Sequence, residues 1–435
     1  MNFSRNQIII IAAAGGIILF FILVIIGVIP GLRSSNNGSG EGVTINIWGI
    51  EEENNMRPLI EAYNQIYQSV QINYLQLSEK NYESQLISSL AGGKGPDIFM
   101  IHNSWLPKYS EIISPINSEQ LTLKSFSESF PSVVKQDFVL KQTPEESEKI
   151  YALPIYIDTL AFIYNKGIFD AKGIAIAPNN WTQFKYIIPR LTEVDPSNRI
   201  IKSAAAIGGS GKSIANASDL LNLIMMQFGS SIIDERDKPI FSHDEGLEAF
   251  NFYLSFSNPQ NIYYTWSDNL RNSLDSFSQG QTAAIFDYSS AISIIKSKNP
   301  FLNIAIAPML QMENIEATDK KNYPDYWGLA VSKQSKNNAW AWNFIVSSFG
   351  NPEIAEKYLE ASKRPPALRS LITKYQADDN LGIFAAQALT AESWPQPDAN
   401  ESRKIFSDAI EAVLAGRLSP QKALEEAESK INSLK

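Results

Sequence analysis

The chain has 435 residues, 44% hydrophobic, 11% aromatic and 19% charged, enough for two lobes with separate cores. Its formal charge is -9. Setting aside the first 42 residues (Arg5 and Arg33 against Glu41, +1) leaves -10 on the remainder, which argues against nucleic acid or an anionic membrane surface as partner. With no cysteine there is no disulfide, thiolate metal site, cysteine nucleophile or lipid-anchor cysteine. The two histidines, His102 and His243, are far apart, so neither a metal site nor a Ser-His-Asp triad is expected.

Residues 1–7 read as a short cytoplasmic terminus. Ile8–Ile29 is an uncharged apolar run. At ~1.5 Å per residue it extends ~33 Å, enough for the hydrocarbon layer, and Arg5 before it keeps the terminus inside. It is longer than a signal-peptide core and no A-x-A site follows, so an uncleaved single-pass anchor is expected, with the bulk of the chain extracytoplasmic. Residues 30–42 (PGLRSSNNGSGEG) are small and polar, a flexible tether.

Beyond the tether, Val43, Ile45 and Ile47 alternate with Thr44, Asn46 and Trp48, predicting a strand. Met56, Leu59, Ile60, Tyr63, Ile66 and Tyr67 recur at three-four spacing, predicting a helix. A β-rich stretch, Val70–Leu77, precedes a helix opened by Ser78 that aligns Tyr82, Leu86 and Leu90. Gly92–Pro96 breaks that helix, and Asp97–Ile101 resumes as a buried strand. Strand and helix keep alternating, which favours an α/β architecture. The last hundred residues are mostly helical: Ile405, Phe406, Ala409, Ile410, Val413 and Leu414 form a face ending at Gly416, and Ser419-Pro420 opens another helix.

Several segments then carry a resemblance. They are TINIWG at the first strand, Gly95-Pro96-Asp97-Ile98-Phe99, and Tyr151–Thr159 running on through Phe162-Ile163-Tyr164-Asn165-Lys166 to Trp181-Thr182. Phe277–Ile285, Trp327–Lys333 and Ala341-Trp342-Asn343-Phe344 follow. In this order and spacing, Val43 to the C-terminus resembles the family 1 extracellular solute-binding proteins of ABC importers, which are maltose-binding-protein-like. The resemblance implies an α/β, two-lobe periplasmic-binding-protein-like fold of type II, with a hinge and an interlobe cleft. It divides the chain into a first lobe of residues 43–155 and 303–330 and a second of residues 156–302 and 331–435. It further implies a monomer that closes on a small polar ligand, most readily a carbohydrate, and hands it to an ABC permease, with no catalytic residue, cofactor or metal. Ile285 stands where the family usually has methionine, and Gln311–Tyr323 is more polar than the family pattern.

A sugar offers apolar C–H faces and a rim of hydroxyls, so its site needs aromatic planes and planar polar groups. At strand ends and implied crossings the candidates are Trp48 and Glu51, Asn103 and Trp105, and Tyr156 and Asp158. Trp266, Asp287, Tyr288, Tyr326, Trp327, Arg364 and Trp394 complete the set, with Arg369 beside Arg364. Asp97, Trp340 and Trp342 read as structural. Ala206–Ser213 fits a relaxed phosphate-loop pattern, but an extracytoplasmic setting argues against a nucleotide. Alternatives from other classes are an anchored glycan hydrolase, which needs two opposed carboxylates across a cleft, and a surface adhesion or scaffold module of the same fold.

Overall fold

The alternation at Val43–Gly49 resolves as a strand, β1, with Ile45 and Ile47 fully buried on one face and Asn46 exposed on the other. The structure is a computed structural model that describes residues 42–143 and 145–434. The expected cytoplasmic terminus, anchor and nearly all of the tether lie outside the described residues. Among the described residues no helix is long and apolar enough to cross a membrane.

After β1 come α1 (Glu53–Ile66), β2 (Val70–Gln76), α2 (Glu79–Ala91), β3 (Ile98–His102) and β4 (Leu153–Pro154). The next elements are β5 (Asp158–Thr159), β6 (Ala161–Asn165), α3 (Trp181–Leu191), α4 (Ala217–Gln227), β7 (Ala284–Asp287), β8 (Ile304–Ala307), β9 (Pro324–Asp325) and β10 (Trp327–Val331). The chain ends in α5 (Asn338–Phe349), α6 (Pro352–Ser362), α7 (Gly382–Gln387), α8 (Ala399–Leu414) and α9 (Pro420–Asn432). Local chemistry sets several starts: Asn180 caps α3 through Gln183 N–H, Asp398 caps α8 through Glu401 N–H, and Ser419 caps α9 with Pro420 in its first turn.

Two sheets organise two cores. In the first lobe the order is β2-β1-β3-β10-β4, with β1 parallel to β2 and β3 and β10 antiparallel to β3 and β4. Ile47, Phe99, Ile101 and Leu329 anchor its core. In the second lobe β7-β6-β8 is antiparallel, and Phe162, Phe184, Leu220, Phe250 and Phe286 fill the core. Between them β5 and β9 pair as a two-residue antiparallel ribbon, Asp158 opposite Asp325 and Thr159 opposite Pro324.

The packing corrects the expected lobe division in two places. Residues 303–323 belong to the second lobe, because β8 pairs with β6 and Met309, Leu310 and Tyr323 sit in that core. Residues 331 to 372 belong to the first. Ala341, Trp342 and Phe344 of α5 and Tyr358 of α6 are buried there, and Tyr63 of α1 donates to Asn343 at 2.8 Å. The apolar stripes of α5 and α6 match the first sheet and α1, whereas Phe406, Ile410, Leu424 and Ile431 of α8 and α9 match the second core. The chain thus crosses near 158, near 325 and again between 372 and 406.

Close approach of backbone makes Gly328 of β10 irreplaceable in this packing: an added Cβ would meet the Leu153 carbonyl at 2.7 Å and the Phe138 ring at 2.7 Å. We expect Gly328→Ala to destabilise the first lobe by about 1–3 kcal/mol, read as a lowered midpoint in chemical denaturation.

A candidate ligand cleft between the lobes

Strand β3 ends at His102, and the chain turns through Asn103-Ser104-Trp105 at the edge of the first lobe. Strand β10 begins at Trp327 and pairs there with His102, so two indoles and an imidazole meet. Trp105 and Trp327 are 5.1 Å apart, ring centre to centre, at 72°, and His102 stands 5.2 Å from Trp327 at 74°. Such a corner presents apolar ring surface in two directions. It walls a cavity of ≈ 560 Å³ closed by Asp325 of the ribbon, Glu79 and Glu83 of α2, and Asn400 and Arg403 of α8.

Charge is arranged around this corner. His102 Nε2 lies 3.3 Å from Asp325 Oδ1, and its Nδ1 is 2.6 Å from Ser104 Oγ. Arg403 lies between Asp219 (3.6 Å) and Asp325 (3.9 Å), tying α8 to α4 and to the ribbon. At the mouth Lys108 of the first lobe reaches Glu83 at 2.9 Å and Asp398 at 2.5 Å, and Asn400 donates to Glu83 at 3.0 Å. The start of α8 is therefore pinned to the first lobe while its remainder packs in the second.

Eleven of the thirteen residues singled out from sequence fall into four places. Trp105 and Trp327 line the cavity directly. Asn103, Tyr326 and Trp394 stand behind it. Asn103 Nδ2 and Tyr326 Oη donate to buried Asp137 at 3.0 and 2.6 Å, Ser393 also donates to it, and Trp394 Nε1 donates to Asn222 at 3.1 Å. Glu51, Tyr156 and Arg364 form a third group: Arg364 pairs with Glu51 at 3.4 Å and lies 4.6 Å over the Tyr156 ring, joined electrostatically to Asp158. Asp158, Asp287 and Tyr288 belong to the ribbon and the second-lobe floor. Asp158 accepts from Ser289 N at 3.0 Å and Ser289 Oγ at 2.5 Å, Asp287 accepts from Asn216 at 2.8 Å, and Tyr288 donates to Asp219 at 3.0 Å.

Two of the thirteen lie elsewhere. Trp266 is 0% exposed inside the second core and donates to Ser213 at 2.9 Å; lacking a strand end, its segment buries the indole as packing. Trp48 faces a separate recess with Leu77, Gln85 and Ser88, because strand alternation turns it onto the outer face of β1, beside α2. Arg369, named beside Arg364, donates to the Phe130 carbonyl at 2.8 Å and is structural. The turn at Ser210–Ser213 is filled by a carboxylate of its own: Asp268 accepts from Ser210 N, Ser210 Oγ and Ser213 Oγ at 2.9, 2.6 and 2.6 Å.

Of the ten described residues that line the cavity, eight were not singled out, Glu79, Lys80, Glu83 and Ala399 among them. His102 and Asp325 each adjoin a chosen residue at a strand end, and that adjacency was the available signal. Asn400 and Arg403 sit on a helix distant in sequence, and nothing local distinguishes Arg403 from a surface arginine.

Burial polarises the acids differently. Asp287 is pushed up to about 7, by desolvation first and then by the charges of Asp158 and Asp219, against hydrogen bonds from Tyr288 N and Asn216. Desolvation likewise raises Asp158 to about 6, although Ser289 and Arg364 oppose it. Asp325 goes the other way. Its burial is outweighed by His102, Arg403 and Arg364, which hold it down at about 2.

Two α/β bodies, a connecting ribbon and an aromatic-lined cavity between them define a two-lobe substrate-binding-protein fold. The family model for bacterial extracellular solute-binding protein matches residues 49–349, and the chain belongs to that family. Among relatives, it is 23% identical over 392 residues to the maltotriose-binding protein of Pyrococcus abyssi, covering 86% of this chain and 77% of the relative. It is 22% identical over 423 residues to the galactooligosaccharide-binding protein of Bacillus subtilis, covering 91% and 90%. Among solved structures, the sugar-binding protein MalE of Xanthomonas citri superposes with a TM-score of 0.75 at 16% identity, covering 90% of this chain and 97% of that one.

The raised acids fix a sign for the pH response. Asp158 and Asp287 hold their protons to higher pH when folded than their ordinary value of 3.8, so ionising them costs the folded state. Their contribution to stability is therefore expected to grow as pH falls from about 7 to about 4 and to be lost as pH rises through their folded values. Asp325 acts oppositely and only in acid, where its contribution is lost as pH drops from 3.8 towards about 2. Thermal midpoints across this range check the sign, and Asp287→Asn, which keeps the acceptor for Asn216, should flatten part of the upper slope.

Proposed function

We propose that the chain captures a neutral saccharide or short oligosaccharide in the interlobe cavity and delivers it to an ABC importer permease. The observation that carries this reading is the Trp105–Trp327 corner, two ring surfaces at 72° with carboxylate, amide and guanidinium groups around them. Rings take the C–H faces of a sugar, and planar polar groups take its hydroxyls, leaving a wrong epimer with unmatched partners. Maltotriose and galacto-oligosaccharide relatives support the ligand class, as do neighbours solved with cycloalternan and with maltotetraose. Family membership supports an extracytoplasmic carrier without catalytic chemistry of its own.

Closure follows from differential affinity. A ligand that touches both the first-lobe indoles and second-lobe Arg403 binds more tightly when the lobes approach, and this difference shifts the population. The apolar run 8–29 would hold the chain at the membrane, with residues 30–42 as its tether.

Calorimetric titration with malto-, galacto- and other oligosaccharides tests the ligand class. Saturable binding by one series without turnover is expected, whereas binding by none, or hydrolysis of the sugar, defeats the reading. Trp327→Ala or Trp105→Ala should weaken the binding sugar by about 1.5–3 kcal/mol, roughly 10- to 150-fold. For the anchor, the full chain should sediment with membranes, while residues 43–435 should stay in the supernatant and bind the same sugar with unchanged affinity.

A further inference from the structure

The ribbon has two faces. Its Asp158 side turns to Ser289 and the cleft, while neighbouring Thr159, pointing the other way as strand geometry requires, accepts a hydrogen bond from Gln387 Nε2 at 2.8 Å. Beyond Gln387 lies a groove of ≈ 730 Å³, larger than the cleft cavity. One wall is second-lobe chain from 179–183 and 308–322, and the other is α7 with the turn to Thr390. Gln387 spans them, since its Oε1 accepts from Met309 N at 2.6 Å.

The groove's chemistry is distinctive. Among the described residues its polar lining is dominated by carboxamides, Lys320 is the one charged residue, and no aromatic residue lines it. Gln311 spends its amide on the backbone and Gln387 on the backbone and Thr159 Oγ1, whereas Asn179 and Gln376 keep theirs at the exposed rim. Asn322 is 3% exposed and donates to Thr390 Oγ1 at 2.8 Å, yet its buried Oδ1 has no donor. That Oδ1 is enclosed, so the amides that face the groove's opening are those of the exposed rim, Asn179, Gln183 and Gln376. The walls' own backbones already pair at Asn180–Gln311 and Asn322–Ala391, leaving little edge for an added peptide strand. Side-chain amides, each with a donor and an acceptor edge, suit vicinal hydroxyls, and Met309, Met312 and Ile383 offer adaptable apolar contact.

We propose that this groove is a second binding site, for a neutral saccharide read by amides rather than rings, on the opposite side of the hinge ribbon from the cleft.

Hydrogen exchange on the full chain tests it, with maltotriose, a galacto-oligosaccharide and D-tagatose in turn at millimolar concentration. Residues 308–322 and 382–390 should gain protection from at least one sugar, and should gain it equally in the Trp105→Ala/Trp327→Ala chain, where the cleft is disabled. Gln376→Ala and Gln183→Ala at the exposed rim should each reduce the apparent groove affinity several-fold. Groove protection that disappears with the indoles would be an echo of cleft closure and would overturn the proposal. So would protection by an acetylated, amidated tetrapeptide alone, or by no probe. Failure of the cleft reading shows separately, as missing protection at 102–105 in the wild-type chain.

Discussion

Asp158 and Asp325 face each other across the two-residue ribbon that joins the lobes, Asp158 buried and Asp325 half-buried. Two carboxylates so placed repel, and each must be neutralised or hydrogen-bonded for the ribbon to exist. The molecule answers asymmetrically. Asp325 stays ionised between His102 of the first lobe and Arg403 of the second, while Asp158, held by Ser289, has its proton affinity raised. The compensating groups come from both lobes, so the electrostatics of the hinge and the geometry of the cleft are one problem.

This shared constraint explains why the cavity lies where it does. His102 and Trp327 are register partners at the end of β3 and the start of β10, one residue from the ribbon, so the aromatic corner sits directly beside the charged hinge. Arg403 comes from a third crossing and closes the opposite wall. A ligand that displaces water here meets groups whose charges are already fixed by burial, a preorganised field rather than one assembled on binding. Asn103 and Tyr326 contribute indirectly: by hydrogen-bonding Asp137 they immobilise the loop that carries Trp105.

Much of the fold was legible because it is written in short-range pattern. Alternation at 43–48 gave β1, three-four spacing gave α1, and Gly and Pro marked the breaks. The candidate site was legible to the extent that it lies at strand ends: Trp105 and Trp327 were found there, and His102 and Asp325 were adjacent to chosen residues. Trp48 shows the limit of that rule, since strand-end position does not say which face a side chain takes once a helix packs beside it. Trp266 shows another, because an isolated tryptophan outside a strand gives no local sign that its indole will be core.

Sequence by itself determined the element types, the order of motifs and the absence of thiol chemistry, all of which depend on residues within about a helical turn or a strand of each other. Tertiary structure decided the lobe membership of 303–323 and 331–372, the two faces of the ribbon, and the arrival of Arg403 beside Asp325, 78 positions apart by their numbering. The physical reason is that helix stripes and single charged side chains have many acceptable partners locally. Only the packed cores and the cost of burying unpaired carboxylates select one.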